Sequence, residues 1–480
     1  MQNDLQRSGI GSEIDRRGHA GDARHASAHA PALLKPILDE AVRACIESSP
    51  GRLIDLVDEH GSPLNIVLPQ MLRRNVQAFE RVLQAHRVRH AIYYGAKVNK
   101  SQALVRAAVE CGIGVDVSSI HEMRDALRAG ARMADLCATG PAKTSEFHAE
   151  LLAGAALISV DSVEELSDLI ESSATIAPPS RPRLLLRYRP AASAQSRFGM
   201  GGEDILSSLR ELVRMKDRFS FEGFHFHLSG YAAETRAQAV RELLPLVEAA
   251  RAFGLPPRII DIGGGMPVRY VDSDDYDAFL QYQCKEHYRN GRVPESFYPY
   301  GSRLDAAAWL DGLLASPCTG DRSVAAWLND NELILALEPG RSLADQAAIS
   351  VFRITRVKQL AGGLHAIFVE GSSFSACETW FVSEFLVDPI LISAAEGGDA
   401  AQAAPVQAYI AGHSCLDDDV ITNRLLAFER RPRAGDLLVY ANTAGYQMDL
   451  LENEFHRHPM PRRIALTIDA AGRQHISPDD

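Results

Sequence analysis

Tyr93-Tyr94-Gly95-Ala96-Lys97-Val98-Asn99-Lys100 is the stretch on which the reading of this chain turns. Together with the residues before it, the apolar run Ala91-Ile92-Tyr93-Tyr94 breaks at Gly95, the pattern of a buried strand leaving its sheet. A lysine two residues past that glycine is aimed from the strand end into whatever cavity lies above. Apolar walls there would disfavour the ammonium form and free the amine as a nucleophile toward a carbonyl compound. The plain alternative is a solvated lysine at a strand end, and the octapeptide by itself favours that alternative. The flanking sequence decides between them.

Working outward, short β-rich runs recur at 91–94, 114–117, 136–138, 157–160, 184–188, 221–227, 258–262 and 333–337. Helical patterns such as 101–110, 121–129, 162–170 and 236–253 separate them. Strands alternating with helices imply parallel pairing through crossovers, and eight such units close a (β/α)8 TIM barrel. The interval 271–329 is too long for one crossover and is expected to hold an insertion with its own helices. After Glu338-Pro339-Gly340-Arg341 the texture changes. Runs at 349–357, 365–369, 406–410 and 437–440 read as strands without regular helices between them, and 395–404 reads as a surface loop. The expected division is an extension over 1–30, a barrel over 70–345, a β-rich second domain built from 31–69 and 346–470, and a tail over 471–480.

Composition bounds the function. Hydrophobic residues at 46% and charged residues at 23% are ordinary for a globular chain. A formal net charge of -12 argues against nucleic acid or an anionic membrane as the main partner. Cys45, Cys111, Cys137, Cys284, Cys318, Cys377 and Cys415 are scattered, with no C-x-x-C pair, so no zinc knuckle or disulfide framework is expected. A reducing cytoplasm fits, no metal is expected, and no apolar run reaches the length of a membrane helix. The first thirty residues lack an apolar segment and read as disordered, not as a secretory signal.

In such a barrel function sits at the strand ends. Those ends carry Lys97, Asp116, His227, Gly263-Gly264-Gly265 and Glu338-Pro339-Gly340-Arg341. Three successive glycines let backbone N–H groups converge on an anion, although a plain tight turn is the blander reading. Arg341 adds a charged donor for a phosphate, and Glu338 is placed to keep a pyridine nitrogen protonated; an ordinary surface ion pair is the alternative. Alternation along 223–227 puts His225 and His227 on one face, where a core histidine is as good a reading as a ligand. In the second domain Gly412-His413-Ser414-Cys415-Leu416-Asp417-Asp418-Asp419 sets a thiol beside acids, and Tyr446 offers a phenol after a strand.

These motifs, in this order, resemble the fold-type III pyridoxal-phosphate decarboxylases, the diaminopimelate, ornithine and arginine decarboxylase group that shares its barrel with alanine racemase. The resemblance spans about 53–460 and includes Ser62-Pro63-Leu64, Tyr94–Asn99, Val115–Ser119, Ser196-Arg197-Phe198-Gly199-Met200 and Phe226-His227. It implies an amino-acid decarboxylase using pyridoxal 5'-phosphate, with Lys97 carrying the cofactor as an internal aldimine. It places Asp116, His227, Ser229, the glycine triplet, Glu338–Arg341 and Tyr446 at the cofactor, with His227 stacked on the pyridine ring and Glu338 facing its nitrogen. Cys415, Asp417, Asp419 and Tyr446 fall at the substrate. By the same resemblance Cys415 crosses the interface of a homodimer with shared active sites and protonates the carbanion left when carbon dioxide departs.

Three departures matter. Ser229 precedes Gly230 where the family has glycine then serine, leaving open which meets the phosphate. Leu416 follows the cysteine where lysine, ornithine and diaminopimelate enzymes carry an acid for the distal amine. No arginine lies between Glu370 and Pro389, where diaminopimelate decarboxylases use one. The expected substrate is therefore an amino acid or amino-acid conjugate other than these, with Asp417 or Asp418 as alternative cation partners. A racemase on the same barrel would need a base opposite Lys97 where Cys415 stands. A non-catalytic regulatory homologue would have no use for both Lys97 and Cys415.

Overall fold

The computed structural model describes residues 33–47, 50–176, 180–374, 383–394, 405–449, 454–468 and 473–479. The expected extension over 1–30 and the loop at 395–404 lie outside them. Strand β1 (Leu64–Val67) precedes a series formed by β2 (Arg89–Gly95), β3 (Gly114–Val117), β4 (Leu136–Ala138), β5 (Leu157–Val160), β6 (Arg183–Arg187), β7 (Ser220–His225) and β8 (Ile259–Asp261). A short hairpin, β9 (Pro317–Thr319) and β10 (Arg322–Ser323), comes before β11 (Ile334–Leu337). Strands β2 to β8 pair in parallel, and β11 pairs with both β8 and β2 to close a barrel of eight.

Alternation along the strands sorts the side chains. Tyr93, Cys137, Leu157, Leu185, Ile259 and Ala336 form their own cluster inside the barrel. Their neighbours Ile92, Tyr94, Val115, Ile158 and Ile260 point the other way, into the main core under the helices. The helices begin where the loops supply an acceptor. Ser101, Ser119, Thr144 and Ser162 each accept a hydrogen bond from the N–H three residues on, a cap worth about 1 kcal/mol. Those caps lie on the βα loops, so the segments that start the helices also shape the mouth of the barrel.

The second domain contributes β12 (Ala348–Gln359), β13 (His365–Val369), β14 (Ile390–Ile392), β15 (Val406–Ala411), β16 (Val420–Phe428), β17 (Leu437–Ala441), β18 (Arg462–Ile468) and β19 (Gln474–Pro478). With β1 these make a nine-stranded sheet in the order β16-β15-β13-β12-β1-β18-β19, with β17 paired to β12 and β14. Strand β1 lies between β12 and β18, so residues that precede the barrel are built into this sheet. The expected tail is not all tail: Ile476 of β19 pairs with Leu466 and packs on the core, covering what would be an open edge on β18. The insertion holds helices Ser273–Tyr282, Ala306–Ala315 and Val324–Asp330. It reaches β16, where the N–H of Arg289 donates to the Asn423 carbonyl at 2.9 Å. No helix of the described residues is long and apolar enough to cross a membrane.

Candidate active site

Lys97 sits on the single 3-10 turn Ala96–Val98 that follows β2. Its Nζ lies 2.9 Å from Asp116 Oδ2 at the end of β3. The other oxygen, Oδ1, accepts from Thr139 Oγ1 at 2.5 Å, beyond β4. Three consecutive strand ends therefore fix one carboxylate, and that carboxylate fixes the lysine. Burial opposes the Lys97 charge, but the Asp116 carboxylate hydrogen-bonded to it outweighs burial and holds the amine above the ordinary lysine range. The side chain keeps 41% of its surface exposed, which weakens the opposing effect further. The wall facing Lys97 is an acid and not the apolar surface considered from the sequence, and it favours the ammonium form of the amine.

Deeper in the barrel Glu338 is 4% exposed. Burial first, then the carboxylates of Asp116 and Asp261, push its carboxyl well above the usual range and favour its protonated form. Burial likewise raises Asp261 to about 7, against the pull of the Gly263 N–H on its Oδ1 at 2.8 Å. Burial lowers His225 far below the ordinary histidine value, with Arg187 adding to the effect, and keeps it neutral. Its Nδ1 lies 2.6 Å from Ser159 Oγ, and its Nε2 lies 3.7 Å from Glu338 Oε2, too far for a hydrogen bond. The thiol of Cys137 approaches Glu338 Oε1 at 3.9 Å. Cys137, Asp261 and Glu338 bring donor atoms within 4.8 Å of one another, but burial favours the protonated form of all three, which suits hydrogen bonding better than a cation.

The glycine triplet packs on the Glu338–Arg341 turn. A Cβ on Gly264 would fall 2.3 Å from the Glu338 carbonyl oxygen, so no side chain fits there. Gly263 and Gly265 both take positive φ, 68° and 79°. The Gly264 N–H donates to His227 Nδ1 at 3.3 Å. His227 stands past the end of β7, so it does not share a strand face with His225 as the alternation suggested. His225 is enclosed in the barrel, whereas His227 is half-buried at its rim; burial and the nearby Arg236 charge keep it neutral. Ser229 and Gly230 are both exposed. The second domain closes this side: Tyr446 N donates to the Val98 carbonyl at 3.0 Å, and Arg341 Nη1 donates to the Gly445 carbonyl at 2.8 Å. The Arg341 guanidinium lies 4.0 Å from the ring centre of Tyr298, contributed by the insertion. A Cβ on Gly340 would fall 3.0 Å from Tyr446 Oη, so Pro339-Gly340 lets that phenol reach the mouth.

The loop 412–419, between β15 and β16, stands apart from these residues. Cys415 is exposed, and His456 Nε2 lies 3.2 Å from its Sγ. Among the described residues no hydrogen bond joins it to Lys97. Asp419, expected at the substrate, is 3% exposed and accepts from the N–H groups of Ser373 and Ser414 at 2.7 and 2.9 Å. It shapes the loop. Asp417 and Asp418 meet Arg289 at 3.3 and 3.0 Å.

Several site residues went unread in the sequence. Thr139 and Ser159 are small hydroxyls after or within short strands, a pattern with no signal of its own. Arg187 pairs with Asp161 at 2.8 Å and lies over the Phe198 ring at 4.7 Å, which ties the 196–200 segment to the barrel mouth. The buried Arg236 stands behind the glycine triplet and donates to its carbonyls.

The buried acids make a pH prediction. Folded-state values raised above those of the unfolded chain mean that the folded protein holds protons the unfolded chain releases, so this contribution falls as pH rises. For Asp261 the window runs from 3.8 toward about 7, and for Glu338 it starts at 4.5 and extends upward. Glu338→Gln removes one such proton. In melts of the cofactor-free protein from pH 5 to 8, the variant should gain on wild type, with a slope of up to about 1.4 kcal/mol per pH unit. Parallel Tm curves would show that Glu338 ionises freely.

Whether these residues suit a phosphorylated pyridine aldehyde can be judged from the geometry. A lysine amine stands at the mouth, a buried carboxyl lies below it, neutral histidines line one side, and a glycine cradle too tight for any Cβ sits beside an arginine. Each part has its counterpart in such a molecule: aldehyde, ring nitrogen, ring face and phosphate. A family profile described as "Pyridoxal-dependent decarboxylase, pyridoxal binding domain" matches residues 70–291. The chain is 56% identical over 446 residues to the uncharacterized protein y4yA of Sinorhizobium fredii, covering 93% of this chain and 96% of that protein. It is 24% identical over 333 residues to the diaminopimelate decarboxylase of Zymomonas mobilis, covering 66% of this chain and 68% of that one. The crystal structure of diaminopimelate decarboxylase from M. jannaschii in complex with L-lysine superposes with a TM-score of 0.67 at 18% identity, over 89% of this chain and 91% of that one. At that identity the likeness speaks for the fold.

Proposed function

The chain belongs to the fold-type III pyridoxal-phosphate decarboxylases, and from that premise we propose that it removes the α-carboxylate of an amino acid or amino-acid conjugate whose far end is not a free ammonium. The enzyme class and the pyridoxal 5'-phosphate cofactor come with the family. The observation that carries the site assignment is Lys97, held at the barrel mouth 2.9 Å from Asp116, with Glu338 buried deeper in the same barrel.

In this reading Lys97 holds the cofactor covalently, and Asp116 fixes the amine's position and takes up its charge. The N–H groups of Gly265 and Met266, at the end of the glycine triplet, together with Arg341 and Tyr446, hold the phosphate. His227, neutral and oriented by the Gly264 N–H, lies against the ring face. Glu338, buried deep in the site, would face the pyridine nitrogen and share a proton with it, its carboxylate balancing the charge of the protonated ring. When bound, the cofactor supplies an electron sink for the pair left on Cα as carbon dioxide leaves. The chain's part is then to orient the scissile bond and to return one proton to Cα. Cys415 carries that proton. Its exposure, and the lack of any described hydrogen bond to Lys97, support delivery to a second chain's site in a homodimer.

The substrate class follows from the loop after Cys415. Leu416 is 45% exposed beside the thiol, and Asp417 and Asp418 are engaged by Arg289. A cationic substrate terminus buried against leucine would go unpaired, at a cost of several kcal/mol. Carbon dioxide release from a panel of amino acids tests this. Free lysine, ornithine and diaminopimelate should be turned over with kcat/KM at least about 100-fold below that of the best substrate, the factor that about 2.7 kcal/mol gives. Efficient turnover of any of the three would overturn the substrate assignment and make Asp417 or Asp418 the distal acid. Carboxylate retention with inversion at Cα would make the protein a racemase.

A further inference from the structure

Arg236 lies in the first turn of the helix Ala233–Ala252, on the same face as Val240, Leu243 and Val247, and is 1% exposed. Its Nη2 donates to the carbonyls of Gly264, of Gly265 at 3.2 Å and of Leu228 at 3.4 Å. Among the described residues no carboxylate pairs with it, and Nε and Nη1 have no hydrogen-bond partner. The face of Trp309, 5.6 Å from the guanidinium carbon, and the nearby Tyr231 are neutral groups that compensate it only in part. A buried cation so placed costs free energy. The helix N-terminus adds to the cost, because its partial charge has the same sign. Burial lowers the guanidinium's proton affinity to about 10, and at neutral pH it still carries its charge.

We infer that Arg236 is the buried counter-charge of a bound phosphate dianion, acting from behind the glycine loop. The inference rests on the reading that this loop holds the cofactor's phosphate. The peptide planes give the direction. Each trans peptide points its N–H opposite its carbonyl, so carbonyls of Gly264 and Gly265 turned toward Arg236 send the N–H groups of Gly265 and Met266 away from it. The guanidinium thus orients the donors of the cradle and supplies positive charge through a thin, low-dielectric layer. Direct contact by Nη1 or Nε is not required for either effect.

The test uses cofactor-free wild type, Arg236→Leu and Arg236→Gln, with pyridoxal 5'-phosphate, pyridoxal and inorganic phosphate as separate probes. Gln keeps a donor for the loop carbonyls and removes the charge, so it separates the two roles. Both variants should lose at least about 30-fold in affinity for pyridoxal 5'-phosphate, the size of a charge-assisted contact, while affinity for pyridoxal is unchanged. Both should also melt at or above the wild-type temperature without ligand, and inorganic phosphate should raise the Tm of wild type alone. An unchanged ratio of phosphorylated to unphosphorylated affinity in either folded variant overturns the inference, as does equal protection by phosphate. If Arg236→Leu fails to fold, Arg236→Gln decides by the same ratio. Wild type that binds neither pyridoxal form would instead refute the cofactor site.

Discussion

Lys97→Ala should give a folded protein in which borohydride reduction traps no cofactor and decarboxylation falls by three orders of magnitude or more, about the effect of removing a covalent catalyst. The fold should survive because little of it depends on the amine. The side chain is 41% exposed, and its ion pair with Asp116 is discounted accordingly. Asp116 keeps its hydrogen bond from Thr139, and the turn is anchored by the buried Ala96 and Val98 on either side of the loss. Wild type should be yellow, and mass spectrometry of the reduced protein should place the cofactor on the peptide containing Lys97. Two other lysines are the useful controls. Lys100 is exposed, and Lys143 is enclosed and tied to Glu165 at 2.7 Å and to the carbonyls of Gly140 and Ser159. An adduct on either, or trapping that persists in Lys97→Ala, would remove the assignment on which the site is built.

The sequence showed the barrel because its information is local and periodic. Each β-rich run ends within two residues of the strand observed, and the loops that follow carry the caps and glycines that shape the mouth. The second domain was legible only as a class. Strand β1 joins β12 and β18 across nearly four hundred residues of chain, and nothing in a four-residue apolar run specifies such partners. Residues missed at the site share one property: their role depends on what the fold sets opposite them. Thr139 is an unremarkable hydroxyl until β3 brings Asp116 beside it. Lys97 looked like an amine in apolar surroundings until the neighbouring strand end supplied an acid. Arg236 was different. Its spacing to Val240, Leu243 and Val247 puts it on the buried face of its helix, and an arginine on an apolar face is a signal that the sequence carried.

Equal mixing of Lys97→Ala and Cys415→Ala proteins, each nearly inactive alone, should restore activity once their subunits exchange. The argument is geometric. Lys97 belongs to the barrel, Cys415 to the loop between β15 and β16, and the thiol is exposed with His456 as its described side-chain partner. If each site takes Lys97 from one chain and Cys415 from the other, a mixed dimer has one site with both residues and one with neither. Random exchange makes half of the dimers mixed, so recovered activity should be about a quarter of wild type for a closed two-fold dimer. Cys415→Ala alone should still bind cofactor, since no cofactor contact runs through it. It should protonate the product at the wrong atom often enough that some cofactor leaves as its amine form. Exchange must be verified independently, by mass or by tagged subunits. Verified exchange with no recovery would mean that one chain builds its whole site, and the loop at 412–419 would then have to swing toward its own barrel, breaking the hydrogen bond from the Ser373 N–H to Asp419 that ties the loop to its domain.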